Sequence, residues 1–127
     1  MKKIAIVTSW SSKSKDFKAN ETGIKKPLVP QNNVSFLHLP LGPNETYKKY
    51  QNLVVTEVKK RKFDTFFFKD CSENLVKDLV ADIRKKFRDK PVTFYSFSSF
   101  ELPWVKNISS FAEVGIEERE EEVALVA

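Results

Sequence analysis

Residues 65–97 read TFFFKDCSENLVKDLVADIRKKFRDKPVTFYSF. Thr65–Lys69 carries three consecutive phenylalanines, and Val92–Phe97 is aromatic and β-branched behind Pro91; both are strand patterns. Between them Leu75, Val76, Leu79, Val80, Ile83 and Phe87 recur at helical spacing, so Ser72–Arg88 reads as a helix with one apolar face. Asp70 followed three residues later by Glu73 resembles a capping box, and Lys85, Lys86 and Arg88 suit the negative end of the helix dipole. A strand, a helix and a second strand in this order make a parallel pair with a right-handed crossover.

The same logic extends outward. Ile4–Ser9 and Val34–Leu39 are near-continuous apolar runs, as expected of strands covered on both faces. Glu45–Lys62 reads as another helix: Tyr47, Tyr50, Val54 and Val58 share a face, Asn44 stands at the N-cap, and Lys59, Lys60, Arg61 and Lys62 close the other end. The order predicts a three-layer α/β domain. Its sheet is short and mainly parallel, of four or five strands with helices on both faces, on a Rossmann-like or flavodoxin-like plan. Residues 10–33, with Gly23, Pro27 and Pro30, read as an irregular, lid-like insert holding at most a short helix around Ser14–Asn20. Residues 104–127 form an acidic C-terminal segment, either a helix through Ser110–Val126 bent near Gly115 or a short strand at Val123–Val126.

Bulk properties fit one domain spanning residues 1–127. A hydrophobic content of 41%, with 11 Phe, supplies a core that needs no covalent staple. The apolar runs fall far short of the ~20 residues that span a bilayer. The apolar stretch behind Lys2 and Lys3 stops after four residues, too soon for a signal peptide. The lone Cys71 excludes an internal disulfide and a cysteine-based zinc cluster. These features read as a soluble, cytoplasmic protein without a membrane partner. Charge is uneven: residues 1–100 carry +10 (20 basic, 10 acidic) and residues 101–127 carry −5 (2 basic, 7 acidic). A basic body suits nucleic acid or another polyanion, or is simply a solvated lysine-rich surface. The acidic tail could fold onto it, and the terminal VALVA could pair with a second copy of the chain or pack on its own sheet.

In an open parallel sheet, ligands bind beyond the carboxyl ends of the strands. Four loops therefore meet at one edge: Ser9–Lys15, Pro40–Thr46, Asp70–Asn74 and Ser96–Glu101. They bring the hydroxyls of Thr8, Ser9, Ser11, Ser12, Ser72 and Ser98, the positive charge of Lys13 and Lys15, and the aromatic faces of Trp10 and Phe100. Helix N-termini add free N–H donors that favour an anion. Hydroxyls, cations and aromatic rings together predict a phosphorylated or nucleotide-like ligand, with Ser9, Ser11, Ser12 and Lys13 on phosphate and Trp10 or Phe100 against a base. Polar loop ends also arise without any ligand.

The more specific phosphate motifs are absent. The chain has only Gly23, Gly42 and Gly115, none in the first turn, which excludes a P-loop and a dinucleotide fingerprint. No acidic residue ends the first strand, so carboxylate-based magnesium chemistry lacks its key group there. Over a few residues the Ser-rich first turn resembles the phosphate turn of flavin-mononucleotide-binding folds.

Single residues carry two readings each. Cys71 falls near a helix N-terminus, where a thiolate would be favoured. The position six residues on is Lys77, not the arginine of cysteine phosphatases, and no glycine intervenes, so a structural cysteine is the other reading. His38, near the end of the second strand, is either a general acid or base at the ligand edge or a buried, satisfied histidine. Asp64, Asp70, Asp78 and Asp82 read as helix-surface or capping groups. The phenylalanines could stack RNA bases on an open sheet face, or fill the core beneath two amphipathic helices. The leading expectation is a binding domain for a phosphorylated or nucleotide-like ligand; whether it is also an enzyme stays open, with the balance toward binding alone and an enzyme using His38 ranked third. The alternative is an interaction protein for nucleic acid or a protein partner. No particular cofactor is implied.

Overall fold

A computed structural model describes residues 2–11, 13–25, 34–41, 52, 55–56, 59–60, 63–89 and 91–116. Five strands form one all-parallel sheet: β1 (Lys2–Thr8), β2 (Val34–Pro40), β3 (Thr65–Lys69), β4 (Thr93–Ser96) and β5 (Val105–Asn107). The order across the sheet is β2-β1-β3-β4-β5. That is the strand order of flavodoxin-like sheets rather than of Rossmann ones. α1 (Phe17–Lys25) precedes β2, and α2 (Glu73–Lys86) joins β3 to β4.

β1 runs through the middle of the sheet. Ile4, Ala5, Ile6 and Val7 have essentially no exposure, as a strand buried on both faces requires. Alternation sends Ala5 and Val7 to one face with Phe66, Phe68 and Phe94, where Leu75, Val76, Leu79, Val80 and Ile83 of α2 cover them. Ile4, Ile6 and Phe67 face the other side, beneath Ile108, Phe111 and Ile116. The three consecutive phenylalanines are therefore all core residues serving two layers. Burial of each such ring or branched chain contributes roughly 1.5–3 kcal/mol. At the amino end, Asp64 ties three strands together. Its carboxylate accepts from Lys3 N–H (3.1 Å), and its carbonyl accepts from Thr93 N–H (2.9 Å). Asp64 is thus an edge clamp, neither on a helix surface nor a helix cap.

α2 begins one residue later than its periodicity suggests. Its N-cap is Ser72, whose Oγ accepts from Leu75 N–H at 3.2 Å. Asp70 does not cap; it sits two residues earlier with φ 54, in the left-handed region. α1 also differs from expectation. Ser14 N–H bonds the Ser11 carbonyl and Phe17 N–H the Ser14 carbonyl, so turns occupy the first serines and the helix runs from Phe17 through Gly23 to Lys25. Of the second expected helix, Asn52, Val55, Thr56, Lys59 and Lys60 are helical; Asn44, Tyr47, Tyr50, Val54 and Val58 lie outside the described residues.

β5 has no counterpart in the sequence reading, because three residues with one apolar side chain give no period. It is reached across residues 97–104 without a helix, a shorter route than most parallel connections take. Trp104, at φ 64 and 64% exposed, stacks against the Arg84 guanidinium at 4.0 Å just before it. Beyond β5 the described part of the expected helix, up to Ile116, is a 3₁₀ turn, Phe111–Val114, ended by Gly115 at φ 78, which returns Ile116 to the core. Residues 117–127, including the alternative strand Val123–Val126, lie outside the described residues. No helix among the described residues is long and apolar enough to cross a membrane.

Leu79 has no exposed surface and lies where α2 meets the sheet. Leu79→Ala is expected to cost about 2–5 kcal/mol in urea denaturation, whereas Lys77→Ala, on the exposed face of the same helix, should change stability by under about 0.5 kcal/mol.

Candidate functional site

β1 neighbours both β2 and β3, and the chain leaves it first toward β2 and later returns to β3 on its other side. At such a reversal the loops beyond the carboxyl ends diverge and leave a crevice. Here the loops after β1 and β3 meet again: Trp10 Nε1–H donates to Asp70 Oδ2 at 2.9 Å. The left-handed backbone of Asp70, tolerated by aspartate better than by most residues, turns the β3 loop toward that contact.

Beneath Trp10 lies a buried polar chain. Thr8, the last residue of β1, has 0% exposure, and its Oγ1 is 2.7 Å from His38 Nε2. His38 Nδ1 is 2.5 Å from Glu21 Oε2 on α1. The carboxylate can only accept, so Nδ1–H donates to it; in the uncharged ring Nε2 then accepts the Thr8 hydroxyl proton. The imidazole is held on both sides, by Phe17 stacked at 5.7 Å and by Trp10 edge-on at 5.4 Å. Phe17 and Glu21 are four apart on α1 and so share the face that meets His38. Trp10 N–H also points to Thr8 Oγ1, at 3.4 Å.

The remaining predicted residues divide by position. Ser9 is half-buried and hydrogen-bonds the Cys71 thiol. Ser11 accepts from Lys13 N–H in the exposed turn, and the Lys13 side chain is free to reach solvent at that edge. Ser12 lies outside the described residues. Ser72 spends its hydroxyl on capping α2. Ser98 pairs with Ser96 at the end of β4, with hydroxyl oxygens 2.5 Å apart. Phe100 is farther along the connection to β5, where its carbonyl accepts from Asn107 Nδ2 at 2.7 Å. Thus Thr8, Trp10 and His38 form one cluster, Ser9 turns to Cys71 instead, and Ser98 and Phe100 lie beyond β3.

Two residues near the cluster, Glu21 and Lys69, escaped the sequence reading, and a third, Asp70, was given another role. Glu21 was hidden by distance along the chain; its spacing from Phe17 was the available signal. Lys69 ends β3 as the register partner of Thr8, and its ammonium lies over the Phe97 ring at 5.5 Å. Asp70, read as a cap, instead holds Trp10. Among the described residues no three His, Cys, Asp or Glu side chains gather as for a metal ion. A cavity of about 240 Å³ lined by Ile83, Arg84, Phe87, Arg88, Pro91 and Val92 lies at the far end of α2, toward the amino edge of β4.

Cys71 precedes the N-cap and is buried, with its thiol directed to the Val7 carbonyl at 3.4 Å. Burial pushes its pKa from an ordinary 9.0 up to about 12, with the Asp70 charge adding to the rise and the Ser9 hydrogen bond opposing it. Loss of solvation overrides the helix end, so the side chain is a protonated core thiol rather than a nucleophile.

No family model matches the chain, and neither a curated protein nor a solved structure matches it.

The Cys71 environment has a consequence at alkaline pH. The folded chain keeps a proton that the unfolded chain releases above pH 9.0, so this group makes stability fall as pH rises from 9.0 toward about 12. Urea titrations across that range should show the decline, and Cys71→Ala should flatten it. At pH 8 a thiol reagent should label Cys71 only after denaturant is added.

Proposed function

We propose that this protein binds a phosphorylated or nucleotide-like small molecule at the carboxyl edge of its sheet, over the crevice between β1 and β3. The observation that carries this reading is the strand order, which reverses at β1 and β3 in an all-parallel sheet. The chemistry around that point supports an anion. Lys13 and Lys69 supply positive charge on the loops after β1 and at the end of β3, and Ser9 and Ser11 supply hydroxyls. The N-terminus of the fourteen-residue α2 adds its dipole. Trp10 offers an aromatic edge for a base or another flat group. The buried, protonated thiol suits a reducing compartment, and we take the cytoplasm as the setting.

A thermal-melting series against nucleotides, flavin mononucleotide and sugar phosphates tests this. A ligand at 100 times its Kd adds about 2.7 kcal/mol, a rise of roughly 10 °C for a domain of this size. Lys13→Ala and Lys69→Ala should each weaken the affinity roughly 5- to 10-fold, the size of a charge-assisted hydrogen bond partly screened by water. Stabilisation by oligonucleotides that collapses as salt is raised would favour a polyanion-binding surface instead. No shift with any phosphorylated compound would end the proposal.

A further inference from the structure

Thr8, His38 and Glu21 come from β1, β2 and α1, separated by up to thirty positions in the chain. They line up as hydroxyl, imidazole and carboxylate: Oγ1 to Nε2 at 2.7 Å, then Nδ1 to Oε2 at 2.5 Å. We propose that they are a nucleophile, its general base and the group that orients the base, and that the protein catalyses acyl transfer from a carboxylic ester or thioester to water. The inference stands apart from the phosphate-ligand reading, since it concerns an acyl group and needs no anion site.

The geometry meets each requirement of an activated hydroxyl. A serine or threonine is a weak nucleophile until a base within about 2.6–3.2 Å takes its proton, and that base must be fixed in the correct tautomer by a third group. Glu21 accepts Nδ1–H, which leaves Nε2 facing Thr8. Phe17 stacks on the ring and Trp10 meets it edge-on, and His38 is buried. In the first step Thr8 Oγ1 bonds to the acyl carbon while its proton passes to Nε2. As the tetrahedral adduct collapses, Nε2–H protonates the departing alkoxide or thiolate, and the acyl group remains on Thr8. Water then attacks the acyl-threonine, its proton returning through Nε2 to Thr8 Oγ1. The net change is ester plus water to acid plus alcohol, with Glu21 a carboxylate throughout. The Trp10 N–H points to Oγ1 itself at 3.4 Å, so it helps to position the attacking oxygen.

Thr8 is fully buried as the structure stands, and its cover is specific. Trp10 lies over the pair, itself half-buried and anchored by the exposed bond to Asp70. Displacement of that side chain gives an acyl group its route to Oγ1. The same arrangement explains why a polar triplet stands at the open end of the sheet rather than deep within it.

The test uses the full chain with a fluorophosphonate probe, mapped by peptide mass spectrometry, and with p-nitrophenyl acetate turnover, which involves no phosphate ligand. An adduct on Thr8 is expected. Trp10→Ala should speed its formation at least several-fold, Thr8→Ser should retain it, and Thr8→Val should remove it while the fold persists by circular dichroism. Glu21→Gln, at a side chain 28% exposed and therefore compatible with folding, should slow labelling and turnover roughly 100-fold or more. His38→Gln should do the same if it folds; if it does not, Glu21→Gln and Thr8→Ser carry the comparison. Absence of a Thr8 adduct in both the unaltered protein and Trp10→Ala would overturn the proposal. So would labelling that Glu21→Gln leaves unchanged.

Discussion

β1 is hydrogen-bonded on both sides and packed on both faces, and the positions of the other elements follow from that double burial. A strand with no exposed face must be apolar along its length, which Ile4, Ala5, Ile6 and Val7 satisfy. The difficulty comes where such a strand ends. Thr8 is the first side-chain hydroxyl of the run and is still fully buried, so it must find a partner inside the protein or pay the desolvation of an unmet hydrogen bond. His38, one strand away, supplies the partner. The ring then has its own second nitrogen to satisfy, which brings Glu21 and with it α1 onto the sheet. A polar problem at the end of one strand thus fixes the docking of a helix.

The two faces are covered by different means. On one side a helix of fourteen residues presents an apolar row to Ala5, Val7, Phe66, Phe68 and Phe94. Toward the β3–β5 side of the other face, the cover is a 3₁₀ turn and the chain around it, and aromatic rings do much of the filling. Phe111 sits edge-on to Phe67 at 4.8 Å and to Phe97 at 5.0 Å, and Phe67 stacks on Tyr95 at 5.1 Å. Rings cover more area per residue than branched chains, so a short segment can close a layer that would otherwise take a longer helix. The positive φ of Gly115 matters for the same reason, since it returns Ile116 to that layer within one turn.

What the sequence disclosed follows from where information is local. β3 was legible to the residue because Phe66, Phe67 and Phe68 stand between two aspartates, and the apolar row of α2 was legible from its period. β5 was not, since its stability comes from pairing with β4 and not from its own three side chains. The cap of α2 was misassigned because Asp70 and Ser72 are both good capping residues; the backbone conformation at Asp70 decides between them, and that conformation answers to Trp10, sixty positions away. The carboxyl edge was legible as a place, through the parallel order of the strands. Its membership was not: Glu21 and Lys69 join it only through α1 docking and strand register.

For His38 a satisfied reading and a functional reading are not opposed. The contacts that make a buried imidazole tolerable, a carboxylate on Nδ1 and a hydroxyl at Nε2, are the contacts that make it a directed base. Packing distinguishes the two cases better than hydrogen bonding does. The triplet is covered by Phe17 and by Trp10, and Trp10 packs against the core on one side while its indole reaches an exposed carboxylate on a left-handed residue. That carboxylate also shapes the charge at the edge. With one oxygen turned to the indole, Asp70 holds its carboxylate beside Trp10, while Lys69 and the exposed Lys13 carry the positive charge of the two loops. An anionic ligand would settle toward those lysines, and an uncharged acyl group toward Thr8 beneath the indole. The two proposals therefore meet at one side chain, Trp10: the acyl reading requires its displacement from Thr8, and the anion reading does not.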